Sequence, residues 1–149
     1  MRLYITEAIA AVIEVARVQR DASARGGTTP PVTSKGLVEK FLPGKGRALE
    51  TYLQQLGQEG ILTSVRGPRG GYFLGRAPEK ISLADIEAAV ATGGAEGSPA
   101  SQNATAIEAQ RAVLDADNTR SAFLDRIRVS DILARIPAES PNSGVKKAA

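Results

Sequence analysis

Apolar residues at Ile9, Val12, Ile13 and Ala16 fall at i, i+3, i+4 and i+7, the spacing of one buried helix face. They predict a helix capped by Thr6 and running to about Gln19. From Asp21 to Pro31 the chain is polar and broken by glycine and proline, which reads as turn and loop, with Val32 as a short strand after it. Thr33 offers a second cap, before a brief helix that turns Leu37, Val38 and Phe41 inward and Lys35, Glu39 and Lys40 outward. Leu42 to Gly46 ends that helix in a turn. A third helix follows from about Arg47 to Gln58. Leu49, Leu53 and Leu56 line its inner face; Arg47, Glu50, Thr51, Gln54, Gln55 and Gln58 line its outer one, and Gly60 stops it.

Beyond Gly60 the period changes from helical to strand-like. Leu62 and Val65 on one side, and Tyr72, Phe73 and Leu74 on the other, bracket a turn rich in glycine and proline, which predicts a two-stranded ribbon. Gly70 and Gly71 are expected to take positive φ, and Pro68 sets its own near −65°, so Arg66 and Arg69 project from a stiff tip. A merely solvated hairpin is the plainer reading of the turn alone. The order of elements argues further: short helix, glycine turn, polar-faced helix and ribbon follow one another as in a winged helix-turn-helix.

In that arrangement the second helix enters a DNA major groove. Lys45, Arg47, Ala48, Glu50 and Thr51 then stand nearest the base edges, and Arg66 reaches the flanking minor groove. Arg47 can bond guanine O6 and N7, and Glu50 can accept from a cytosine amino group. Against this, Glu50 is also within i, i+3 range of Arg47 and could form a simple surface ion pair.

After Arg76, Ser82 caps a helix with Asp85 as its capping-box partner and Ile81 with Ile86 as its hydrophobic staple, running to about Ala91. Residues 92 to 105 are small, polar and glycine-rich, a loop by composition. A long helix resumes near Ala106. Ala109, Val113, Ala116, Phe123 and Ile127 form a heptad-like seam on it, interrupted at Arg120 and flanked by Ile107, Leu114 and Leu124. Such a seam calls for a second copy of the chain, although packing on its own domain would also use it. Ser130 is expected to cap a last short helix with Ile132 and Leu133. The expected organisation is mostly α with a small β-wing: a winged helix-turn-helix over 1–80, dimerisation helices over 81–136 with the loop 92–105 between them, and a disordered tail over 137–149.

Composition narrows the chemistry. The 149 residues contain no cysteine and no histidine, which removes disulfides, thiol nucleophiles, imidazole bases and the usual zinc or iron–sulfur ligand sets. Catalysis is therefore not expected, and no cofactor is assigned. The net charge is +3, but residues 33 to 76 hold seven basic and three acidic side chains, whereas residues 77 to 149 hold eight and ten. The positive excess sits on the predicted helix-turn-helix and ribbon, as a polyanionic partner requires. The longest apolar run, Ala8 to Ile13, is far too short for a bilayer, so no membrane association is expected and the cytoplasm is the expected location.

With these pieces placed, the sequence resembles the Rrf family of bacterial winged-helix regulators, the group that includes IscR, NsrR and CymR. The resemblance rests on Met1, Arg2 and Leu3; on Leu49, Glu50, Tyr52, Leu53, Leu56, Gly60 and Ile61; on Val65, Arg66, Gly67, Pro68, Gly70, Gly71 and Tyr72; and on Ile81 to Ile86. It is dense from about Gly46 to Val90 and thinner elsewhere. It implies a homodimeric transcription regulator, usually a repressor, that binds double-stranded DNA and whose long helix crosses that of its twin. Carried over by position, Arg47, Ala48, Glu50 and Thr51 match the base-reading start of the recognition helix and Arg66 the wing arginine that enters the minor groove; Arg2, Lys35, Lys45 and Arg69 join them as candidate DNA contacts from the reading of the residues themselves. Ala48 stands where an aromatic residue is common in the family, and the turn before the helix is one residue longer. Many members hold an iron–sulfur cluster through three cysteines in the loop before the dimer helix. This loop has none, and Glu96 or Glu108 cannot replace thiolate, so a cluster-free protein is expected. Its signal would then be a small-molecule effector or a partner enzyme. A module that regulates a partner enzyme and binds DNA only weakly is the alternative function.

Overall fold

Six α-helices and one two-stranded ribbon make up residues 5–91 and 104–138, the part described by a computed structural model. The helices are α1 (Ile5–Ala24), α2 (Ser34–Phe41), α3 (Gly46–Gln58), α4 (Leu83–Ala91), α5 (Ala104–Asp125) and α6 (Val129–Leu133). The ribbon pairs β1 (Leu62–Val65) antiparallel with β2 (Gly71–Leu74), and a 3-10 turn, Pro78–Lys80, leads from it into α4. The architecture is mostly helical with a small β-wing, as the pattern predicts.

Helix α1 runs through Ala24, past the end expected near Gln19. Arg17 and Arg20 both pair with Asp21, at 3.1 and 3.0 Å, and these contacts hold the last turn in place. Its buried face is also broader than the four-residue pattern. Ala8, Ala11, Val12, Val15 and Ala16 are fully covered, while Ile9 and Ile13 are half-buried at the margin. The cause is position: α1 packs against α2, α3, α4, α6 and β2.

The caps follow the sequence at α2 and α4 and depart from it at α1, where Thr6 lies inside a helix that already includes Ile5, and at α6. The Thr33 side chain accepts from the Gly36 N–H at 3.0 Å and starts α2. At α4, the Ser82 N–H donates to Asp85 and the Asp85 N–H to Ser82 Oγ, both at 3.0 Å. Helix α6, however, begins two residues earlier than a Ser130 cap would start it. Arg128 is the N-cap, and the Asp131 carboxylate accepts from its N–H at 2.9 Å, so Ser130 lies inside the helix.

A single core joins the two halves of the chain. Leu37, Leu49, Leu53, Leu56, Ile61 and Leu62 from the first half share it with Ile81, Ile86, Val129 and Leu133 from the second. The junction is reinforced by Leu83 N–H donating to the Ile127 carbonyl at 2.9 Å and Val129 N–H to that of Ile81 at 2.8 Å. None of the helices among the described residues is long and apolar enough to cross a membrane.

Candidate nucleic-acid interface

The interface is set by how α2 and α3 are joined. Gly44, at φ +80°, turns the chain sharply between them, and the leucine ridge Leu49, Leu53 and Leu56 is fully buried. Burial of that ridge forces the opposite side of α3 outward. Arg47, Glu50 and Thr51 are exposed there, with Lys45 at the N-cap and Lys35 on α2 also exposed. Ala48 is half-buried against the edge of the core, so it offers little to a ligand. No ion pair links Arg47 to Glu50 among the described residues, which leaves both charges directed at solvent.

Two details define what this helix face can accept. Thr51 Oγ1 donates to the Arg47 carbonyl at 2.9 Å, which spends its only proton and leaves its lone pairs for an incoming donor. Tyr72, on β2, has its phenol pushed above the ordinary value by burial and then by the negative charge of Glu50. Glu50 on α3 is thus near enough to the ribbon for the ribbon to feel its charge.

The ribbon pairs Leu62 with Leu74 and Val65 with Gly71. Its turn carries Arg66 and Arg69, both exposed and neither with a carboxylate partner among the described residues. Gly67, at φ +118°, provides the left-handed position that was expected of Gly70; Gly71, at φ +157°, keeps the expected sign. Gly70 is required for another reason. A Cβ there would sit 2.2 Å from the Val65 carbonyl oxygen.

Three contacts hold the ribbon against the body; the sequence suggested Val32 as a short strand but none of the three pairings. Val32 and Tyr72 exchange two backbone hydrogen bonds, of 3.0 and 2.8 Å. The Gln19 side-chain oxygen accepts from the Leu74 N–H at 2.6 Å, which closes the outer edge of β2. Arg76 donates to the Glu59 carbonyl, just past α3, at 2.7 Å and lies 3.8 Å from the Asp85 carboxylate. Gln19 and Arg76 carry no local signature, since their partners are distant in sequence.

On α5, Ala116 is exposed, Leu114 is 55% exposed and Phe123 66%. Arg120, which interrupts the predicted seam, forms an ion pair with the buried Glu87 of α4 and so fixes α5 to the body. The seam does not extend to Ile127. That residue lies beyond the end of α5 and packs, half-buried, on the core of its own chain. The side chains of Ala109 and Val113 lie outside the described residues, as do Arg2, most of the loop 92–105 and the tail from 139 onward.

Comparison with known proteins agrees with this fold. The Rrf2 family model, described as an iron-dependent transcriptional regulator, matches residues 24–135. A Synechocystis protein named as a candidate HTH-type transcriptional regulator is 43% identical over 61 residues, and the match spans 40% of this chain and 40% of that relative. Among solved structures, IscR of T. potens superposes with a TM-score of 0.63 at 22% identity, covering 98% of this chain and 95% of its own. CymR of B. subtilis, a cysteine regulator, gives 0.62 at 19% identity, covering 92% and 98%. At these identities the two structures speak for the fold.

Proposed function

The chain belongs to the Rrf2 family of transcriptional regulators, and from that premise we propose that it works as a homodimer that reads a pseudo-palindromic operator and represses transcription. The observation that carries this reading is the exposed outer side of α3, which packs beside the ribbon closely enough for the Glu50 charge to reach Tyr72. Arg47 is exposed on α3 with the hydrogen-bond acceptors Glu50 and Thr51, Arg66 and Arg69 are exposed on the ribbon turn, and none of the three arginines pairs with a carboxylate among the described residues. Cations without internal partners are free to replace the counterions of a phosphate backbone, and the acceptors suit the amino groups of cytosine or adenine. Lys35 and Lys45 extend the same positive surface. The protein acts by binding rather than by catalysis.

The family description names iron, and the donor set here does not fit an iron–sulfur cluster. The sequence has no cysteine or histidine, and no group of three His, Cys, Asp or Glu side chains comes together among the described residues. Iron in such clusters is held by thiolate, which no residue of this chain supplies. Regulation therefore runs through a signal other than a cluster held by these residues.

The second copy of the chain is assigned to α5, whose Leu114 and Phe123 are too exposed for a helix that serves only its own domain. The test of the reading is selection of bound sequences from a random DNA pool. The wild-type protein should enrich a two-fold motif, and Glu50→Ala should relax preference at one position of each half-site. Enrichment of no motif, or a uniform loss at every position, would count against base reading by α3.

A further inference from the structure

A cavity of about 430 Å³ lies where α1, β2, the 3-10 turn and α6 meet, on the far side of the ribbon's attachment from the tip. Gln19, Arg20, Leu74, Pro78, Glu79 and Leu133 are among the residues that line it. Its size falls within the roughly 300–1,000 Å³ of small-molecule sites, and its lining mixes an apolar wall with a few polar groups, as such sites do.

The charges in it are unequal in availability. Arg20 is already committed: its Nε donates to Asp21 at 3.0 Å, and its Nη1 donates to the carbonyls of Leu133 and Ile136 at 2.7 and 2.8 Å. Its positive charge is answered within the chain. Glu79 is exposed and pairs with no cation among the described residues, so the charge left for a ligand is negative. Ser23 and Ser130 add hydroxyl oxygens that can accept from an ammonium group, while Leu74, Pro78 and Leu133 offer an apolar surface to a carbon chain.

We infer that this cavity is an effector site for a small primary amine with an apolar body. The ammonium pairs with Glu79, and the hydrocarbon lies along Leu74 and Leu133. The same cavity contains the Gln19–Leu74 hydrogen bond that fastens β2, so an occupant acts directly on the anchorage of the ribbon. The effector role rests on the DNA-binding reading above; the binding site does not.

Titration calorimetry of the full chain without DNA, using n-hexylamine as probe and hexanoate as its counterpart, separates the two. Hexylamine should bind and hexanoate should not. Glu79→Gln should weaken the amine by about fivefold, the effect of losing one partly exposed charge pair. Ala134→Trp, a substitution at an exposed position on the cavity wall, should abolish binding by filling the space. Equal binding of the acid, or amine binding untouched by both substitutions, overturns the site. Gel shifts then test the effector role, with the Ala134→Trp protein, whose cavity is filled, controlling for any action of the amine on DNA itself. Saturating hexylamine should change operator affinity several-fold in wild type and not in Gln19→Met. Binding that leaves DNA affinity unmoved overturns the effector role alone.

Discussion

Glu14 illustrates how much of this protein is held together by single side chains. Arg17 grips its carboxylate with two hydrogen bonds, of 2.9 and 2.8 Å, and Lys40 of α2 reaches it at 2.7 Å. Its pKa falls from 4.5 to about 2, first through the Arg17 hydrogen bond and further through Lys40, against the opposing effect of burial. Because the folded value lies below the unfolded one, the stabilisation is complete above about pH 4.5 and is lost as the pH falls toward 2. Lys40 is half-exposed and screened, so Glu14→Gln should cost about 1 kcal/mol at neutral pH. In urea melts the gap between variant and wild type should be widest at pH 7, narrower at pH 3 and nearly closed at pH 2; an equal gap at all three would detach the effect from this ionisation. Gly70 makes a second, purely steric case. Gly70→Ala forces a Cβ against the Val65 carbonyl and should open the ribbon turn, read as loss of DNA affinity with the melting temperature nearly unchanged.

At the level of elements, the helix-turn-helix and the ribbon turn were legible because their determinants are local. A cap at Thr33, a leucine ridge on α3 and a glycine-rich turn each announce themselves within a few residues. What the sequence concealed were the contacts between elements. The extension of α1 to Ala24 depends on Asp21 meeting two arginines, and the break in the α5 seam at Arg120 is explained only by the buried Glu87 on another helix. Ser130 looked like a cap, yet the backbone bridge between Ser82 and Arg128 starts α6 earlier. The candidate site divides in the same way: Arg47, Glu50, Thr51, Arg66 and Arg69 could be picked out from pattern, but Gln19 and Arg76, which hold the ribbon in place, could not. Arg76→Ala should therefore lower stability by about 1 kcal/mol and weaken binding to all DNA sequences alike. A change in base preference instead would mean that Arg76 itself reads the operator.

For the whole molecule, the shared core matters most. Ile81, Ile86 and Val129 pack with α1 and the α3 leucines, so the segment bearing α5 cannot move independently of the segment bearing the ribbon. Pairing of two chains through α5 would then fix the separation of two DNA-reading faces at about one or two helical turns. Replacing Leu114 and Phe123 with Asp should halve the sedimenting mass without loss of helix, because both side chains are exposed in the single chain. A wild-type protein that sediments as one chain would remove the dimer.

On this reading α3 and the ribbon present one surface to one duplex. The most direct measurement is the dependence of operator affinity on salt for wild type, Arg66→Ala and Arg69→Ala. Each substitution should reduce the slope of log affinity against log salt by about one while leaving base preference intact. Slopes identical to wild type in both variants would place the ribbon away from the DNA and contradict the account.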